Sequence, residues 1–136
     1  MDLFRPTGGE VIKKPADRQS TGARGEKVAA SFLKKRGYRI IETNYRCRGG
    51  EIDIVARQGE TLVFVEVRTK TGRGFGSPEE SITSAKKTRL RTLAAGYAQG
   101  RDDLPLSQRI DVVAVELDRK GKVARIELIE NAVEGV

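Results

Sequence analysis

Residues 49–68 form the stretch that most constrains the fold of this chain. Its sequence, GGEIDIVARQGETLVFVEVR, places two runs of alternating residues, many of them β-branched, on either side of Gly59 and Glu60. A period of two with β-branched residues indicates two strands. A two-residue loop that begins with glycine indicates a tight hairpin turn between them. In that register Asp53 faces Glu66, and Glu51 faces Arg68.

The four charged side chains are expected to lie on one face of the hairpin, because side chains alternate along a strand. The opposite face would then carry the apolar residues Ile52, Ile54, Val65 and Val67. Two facing carboxylates repel each other unless a cation lies between them, and Mg²⁺ with oxygen ligands fits that need. The alternative is a solvated face with a plain Glu51–Arg68 ion pair, and a longer loop would shift the register.

Composition excludes several classes of function. The 136 residues, 38% hydrophobic and 33% charged, suit a single domain. The absence of histidine excludes a Ser-His-Asp triad, a Cys-His pair and an imidazole zinc site. With one cysteine, Cys47, no apolar run of membrane-spanning length and no signal peptide, the chain is expected to be cytoplasmic and away from membranes. A net charge of +7 favours a polyanionic partner, most commonly nucleic acid.

The rest of the chain predicts an α/β domain with one mixed sheet of about five strands, flanked by helices in the order α-β-β-β-α-β-β. Residues 1–19 are expected to be a flexible tail and residues 20–136 a single domain. A helix capped by Ser20 or Thr21 should run to about Arg36, and strands are expected at 38–45, 109–117 and 123–129. A second helix should begin with Ser77 as its N-cap and run to about residue 99, with a break near Thr83 considered.

Further charged residues are candidates for a functional site. Glu26 lies at the edge of the apolar stripe of the first helix, where it needs a partner such as a metal or a lysine; the alternative is a first-turn acid that favours the helix dipole. Basic residues cluster in a turn, in a glycine-rich loop and on the second helix. They are Arg48, Lys70, Arg73, Lys86 and Lys87, which either contact phosphates or form a solvated face.

Several blocks resemble the YraN family over about residues 20–130. They include Gly25-Glu26, the GEID block at 50–53, the FVEVR block at 64–68 and the RIDVV block at 109–113. This family consists of small bacterial proteins similar to Holliday junction resolvases, within the restriction-endonuclease-like superfamily. The resemblance implies a restriction endonuclease-like domain.

The resemblance also implies site residues. Glu26, Asp53 and Glu66 would bind Mg²⁺ or Mn²⁺, with the backbone carbonyl of Val67 as a further ligand. Lys86 would contact phosphate, and Glu51 would be accessory. The nuclease signature has lysine where this chain has Arg68, and arginine stays protonated, so it cannot take a proton from water. Arg68 could orient water or stabilise charge on phosphate, and Lys70 could substitute for the missing lysine.

Three functions follow from these observations. The first is a metal-dependent nuclease that hydrolyses DNA phosphodiesters, with branched DNA as a candidate substrate. The second is a nucleic-acid-binding module of the same fold without full cleavage activity. The third is an adaptor that binds an acidic protein. A homodimer is expected only by analogy, because a four-way junction has two-fold symmetry.

Overall fold

The computed structural model describes residues 20–72, 78–105 and 107–134, which contain two helices and one five-stranded sheet. The elements, in chain order, are α1 (Thr21–Lys35), β1 (Arg39–Cys47), β2 (Gly50–Gln58), β3 (Thr61–Thr71), α2 (Ser84–Ala98), β4 (Ser107–Leu117) and β5 (Val123–Val133). The strand order is β1-β2-β3-β4-β5, with β3 and β4 parallel and the other neighbours antiparallel. This confirms the predicted α/β class, the element order and the mixed sheet.

Helix α1 begins and ends where its sequence indicates. The side chain of Ser20 accepts a hydrogen bond from the backbone N–H of Ala23 at 3.0 Å, so Ser20 is the N-cap. At the other end Gly37 adopts a φ of +91°, and the N–H of Tyr38 donates to the carbonyl of Leu33 at 3.0 Å. This Schellman arrangement needs a left-handed residue, which glycine provides without strain.

The sheet is covered by one helix on each face. Ala29 and Leu33 of α1 pack on one face, against Ile54, Val65 and Val113 among others. Four residues of α2, Leu90, Leu93, Ala94 and Tyr97, pack on the other face. Because both faces are covered, residues 62–67 of β3 and 110–115 of β4 are buried without interruption.

The predicted hairpin register is confirmed along the turn-proximal half of the hairpin. The pairs run from Gln58–Thr61 to Ile54–Val65, and Gly59 has a φ of +58° in the two-residue turn. Beyond Ile54–Val65 the ladder stops, because β2 continues beside β1 while β3 continues beside β4. The predicted Glu51–Arg68 pairing is therefore wrong: Glu51 instead forms an ion pair with Arg46 of β1.

The prediction that the hairpin has one apolar and one charged face is also wrong. Ile54 packs on the α1 side and Ile52 on the α2 side, although strict alternation would place both on one face. The change occurs opposite Asn44, whose φ of +52° interrupts the regular backbone of β1 between the pairs Thr43–Ile54 and Tyr45–Ile52. Asp53 lies at this irregular point, where β2 and β3 also separate.

The second helix starts later than predicted. A 3-10 turn, Pro78–Ser81, comes first, and α2 begins at Ser84 with Thr83 as its N-cap, at the break that the sequence suggested. Strand β5 extends to Val133, beyond the predicted end at 129. The predicted flexible tail at 1–19 and the Ser77 cap lie outside the described residues. No helix of the described segments is long and apolar enough to cross a membrane.

A buried ionic network ties β4 to its neighbour β5, to the end of β2 and to the residue before β1. Asp111 is fully buried and accepts from the Nε of Arg109 at 2.8 Å and from the backbone N–H of Asn131 at 2.9 Å. The hydroxyl of Tyr38 donates to Asp111 at 3.3 Å, and Arg109 also donates to Gln58 of β2 at 2.9 Å. Every oxygen of the buried carboxylate thus has a donor, as burial of a charge requires.

Candidate functional site

Three carboxylates from two separate elements meet beside the fork between β2 and β3. Glu26 comes from α1, and Glu51 and Asp53 come from β2. One oxygen of each lies within 4.8 Å of the others. All three side chains are partly exposed, so the cluster opens toward solvent. We call Glu26, Glu51 and Asp53 the acidic trio.

Asp53 is the residue most strongly affected by this arrangement. Its Oδ2 accepts a hydrogen bond from the backbone N–H of Val67 at 2.8 Å, in the gap where the β2–β3 ladder has ended. Burial, reinforced by the charges of Glu66, Glu26 and Glu51, raises the pKa of Asp53 from 3.8 to about 8, against the lowering effect of the Val67 bond. The site therefore disfavours the charged form of Asp53 unless a cation is present.

Asn44 holds two members of the acidic trio in position. Its side-chain amide donates to Glu26 at 2.8 Å and to Glu51 at 2.7 Å, so one amide group bridges two carboxylates. The left-handed backbone of Asn44 directs its side chain to this place, and asparagine tolerates that conformation better than most residues. Sequence reasoning missed this residue, since no local signal links it to a glutamate eighteen positions earlier.

Gly25 lets α1 approach the sheet closely enough to deliver Glu26. A Cβ on Gly25 would lie 1.9 Å from the Oγ1 and 2.8 Å from the Cβ of Thr69 on β3. Both distances are shorter than a real contact permits. Any side chain at this position would therefore push α1, and Glu26 with it, away from the fork.

Glu66 forms a second part of the site. Its side chain is 4% exposed, and Oε2 pairs with Arg68 Nη1 at 3.1 Å and with Lys86 Nζ at 3.4 Å. Arg68 also donates to the Oγ of Ser81 in the 3-10 turn at 2.8 Å. The predicted Glu66, Arg68 and Lys86 are thus brought together, with Ser81 as a partner that the sequence did not suggest.

The remaining predicted site residues are more scattered. The structure places the amide N–H of Val67, rather than its carbonyl, against Asp53. Lys87 is exposed on α2, Arg48 is exposed in the β1–β2 turn, and Lys70 is half-buried near the end of β3. Arg73 lies outside the described residues.

The donor set fits a hard divalent cation. Carboxylate oxygens are the preferred ligands of Mg²⁺, and two oxygens on one such ion lie about 3–4 Å apart. The oxygens of the acidic trio, within 4.8 Å of one another, need only small side-chain rotations to reach that spacing. Burial, followed by the charges of the neighbouring carboxylates, raises the pKa of Asp53, and a bound cation would favour its charged form.

Comparison with known proteins gives a consistent result. A chain from Moorella thermoacetica described as a UPF0102 protein is 53% identical over 115 residues, which are 85% of this chain and 96% of the relative. A UPF0102 protein of Syntrophus aciditrophicus is 46% identical over 124 residues, covering 91% and 96% of the two chains. The model of the uncharacterised protein family UPF0102 matches residues 25–115, from Gly25 beside the acidic trio to a point within β4. The chain belongs to this family, UPF0102.

Proposed function

We propose that this protein is a metal-dependent nuclease that hydrolyses phosphodiester bonds of DNA, with Mg²⁺ or Mn²⁺ held by the acidic trio. The observation that carries the proposal is the convergence of Glu26, Glu51 and Asp53 within 4.8 Å beside a cluster of cationic side chains. A divalent cation bound there would polarise the phosphodiester and lower the pKa of bound water, so that hydroxide would be available to attack the phosphorus atom.

The chain's own residues supply the positioning. The N–H of Val67 fixes the orientation of Asp53, and the amide of Asn44 fixes Glu26 and Glu51. A site preorganised in this way avoids reorganisation when charge develops on the substrate. Strand β3 carries Glu66 and Arg68 along the other side of the same fork.

Arg68 and Lys86 supply positive charge for the phosphate. Arginine does not act as a proton acceptor in proteins, so the role of Arg68 is to bind a phosphate oxygen or to orient water. Lys86 reaches Glu66 from α2, which brings an ammonium group to the site even though arginine occupies the signature position of lysine. We assign Lys86, together with Lys87, Arg48, Lys70 and Arg73, to phosphate contacts.

The test is cleavage of a labelled four-way junction and of a linear duplex with the same sequence, in Mg²⁺, Mn²⁺ or chelator. The variant is Asp53→Asn, and the matched control is Asp103→Asn, the same change at an exposed loop residue. We expect metal-dependent cuts by the wild type and the control and none by Asp53→Asn. Cuts that persist in Asp53→Asn would contradict the proposal.

One observation favours a second function, a nucleic-acid-binding module with little or no cleavage. Arg68 and Lys86 both pair with Oε2 of Glu66, so this carboxylate is already neutralised by the chain itself. In that case DNA binding should be independent of divalent ions and should weaken steeply with salt. Binding by the wild type without cuts in either metal would support this function over the nuclease.

A further inference from the structure

A second basic region lies on the other side of α1 from the acidic trio. A cleft of about 420 Å³ is formed by the first turn of α1, the end of β3 and the turn between β4 and β5. Its lining includes four cationic side chains, Arg24, Arg119, Lys120 and Lys122, and a single carboxylate, Asp118. We call this cavity, with its four cations, the basic cleft.

The single carboxylate in the cleft is engaged by the turn and leaves the cleft with a net positive charge. Asp118 Oδ1 accepts from the backbone N–H groups of Lys120 and Lys122 at 2.8 and 2.9 Å, so it forms the turn itself. The Nε of Arg24 donates to the carbonyl of Gly121 at 3.2 Å, which fixes the guanidinium against the turn while leaving its charge unpaired.

Within 20–72, 78–105 and 107–134, none of the four cleft cations forms an ion pair. Some other cations of these segments do form ion pairs: Arg68 and Lys86 with Glu66, and Arg125 with Glu79, Glu116 and Glu127. What distinguishes the four cleft cations is that they line one concavity. Four unpaired like charges around one concavity repel one another, and an anionic ligand relieves that repulsion.

The position of the cleft relates it to the acidic trio. Gly25 contacts β3, and the residues before and after it point to opposite sides of that contact: Arg24 toward the β4–β5 turn and Glu26 toward Asn44 of β1. The two regions therefore lie on opposite sides of α1.

We propose that the basic cleft binds backbone phosphates of a nucleic acid, on the opposite side of α1 from the phosphate at the acidic trio. This proposal rests on the proposed function for its ligand, but it concerns binding and not cleavage. It adds four residues to the proposed nucleic-acid-binding surface, Arg24, Arg119, Lys120 and Lys122. They lie in the first turn of α1 and in the β4–β5 turn, and the sequence analysis did not identify them as candidates.

The experiment measures DNA binding by the full chain in chelator, as a function of salt, so that cleavage plays no part. The cleft variant is Lys120→Gln/Lys122→Gln, which keeps the Asp118 turn because those bonds come from backbone N–H groups. The control is Lys34→Gln/Arg39→Gln, which removes two exposed charges near the other end of α1. Thermal unfolding establishes that both variants are folded.

We expect the cleft variant to bind duplex DNA about tenfold more weakly at 0.1 M salt for each phosphate that its side chains no longer neutralise. The slope of log K against log salt should fall by about 0.9 for each such phosphate. The control should match the wild type. Equal weakening in both variants, an unchanged slope in the cleft variant, or absence of DNA binding by the wild type would each overturn the proposal. Loss of binding to polyglutamate with intact DNA binding would also overturn it, in favour of an acidic protein partner.

If the wild type binds DNA through the cleft but never cuts it, the proposal stands and the nuclease function fails. If it cuts DNA in a manner that requires Asp53 while the cleft variant binds normally, the nuclease function stands and this proposal fails. The two outcomes are therefore separable.

Discussion

Asp53→Asn should make the protein more stable when no divalent cation is present. The pKa of Asp53 is raised from 3.8 to about 8 by burial and by its acidic neighbours. Between about pH 4 and pH 8 the folded protein keeps a proton that the unfolded chain has released, so the stability of the wild type falls as pH rises through this window. Asparagine carries no charge in either state and escapes this loss.

The magnitude follows from the same values. A pKa raised from 3.8 to about 8 corresponds to a ceiling of roughly 6 kcal/mol above pH 8. Asp53 is partly exposed, so solvent screens its charge, and we expect a gain of about 2–3 kcal/mol. The amide oxygen of asparagine can still accept from the Val67 N–H, which preserves that bond. For a chain of 136 residues this gain raises Tm by about 10 °C.

The assay is thermal unfolding in chelator from pH 5 to pH 9, beside the Asp103→Asn control. The difference between Asp53→Asn and the wild type should grow with pH, whereas the control should follow the wild type. Adding Mg²⁺ or Mn²⁺ at about a hundred times its Kd should stabilise the wild type by about 2.7 kcal/mol and leave Asp53→Asn unchanged. An Asp53→Asn protein that is less stable than the wild type throughout would refute the reasoning.

Two further predictions concern the framework of the site. Gly25→Ala should displace α1 through its clash with Thr69 and lower both stability and metal-dependent activity. Gly22→Ala, with open space around it, should instead stabilise α1 by up to about 1 kcal/mol. Urea unfolding compares the two variants, and equal effects would contradict the packing argument. Asp111→Ala should destabilise the fold by about 3–5 kcal/mol, because Arg109 loses its buried partner; a decrease of less than about 1 kcal/mol in the same assay would show that the network contributes little.

The division of β2 and β3 between two neighbours is the feature that creates the site. Strand pairing would normally satisfy the N–H of Val67, but at the fork the side chain of Asp53 takes over that role. The separated strands leave room for carboxylates from α1 and β2 to meet, while Glu66 on β3 pairs with Arg68 and Lys86.

Sequence determined the local structure of this protein. The period of two on either side of Gly59 predicted the hairpin and its register, because both depend on residues adjacent in the chain. The same holds for the Ser20 cap and for the Gly37 end of α1. The absence of histidine restricted the expected chemistry to carboxylates, lysines, arginines, tyrosines and a metal. Glu26, Asp53 and Glu66 were identified as a group only through the family resemblance.

Tertiary structure decided where those side chains meet. The point at which β2 and β3 part depends on the strands that pair with their outer edges, β1 and β4, which no local pattern specifies. Because the two strands separate there, Glu51 does not pair with Arg68 as predicted and is instead part of the acidic trio. Asn44 acts through a left-handed backbone within a strand, and the basic cleft joins the first turn of α1 to the turn after β4. Contacts between distant segments are a property of packing, and only the folded chain shows them.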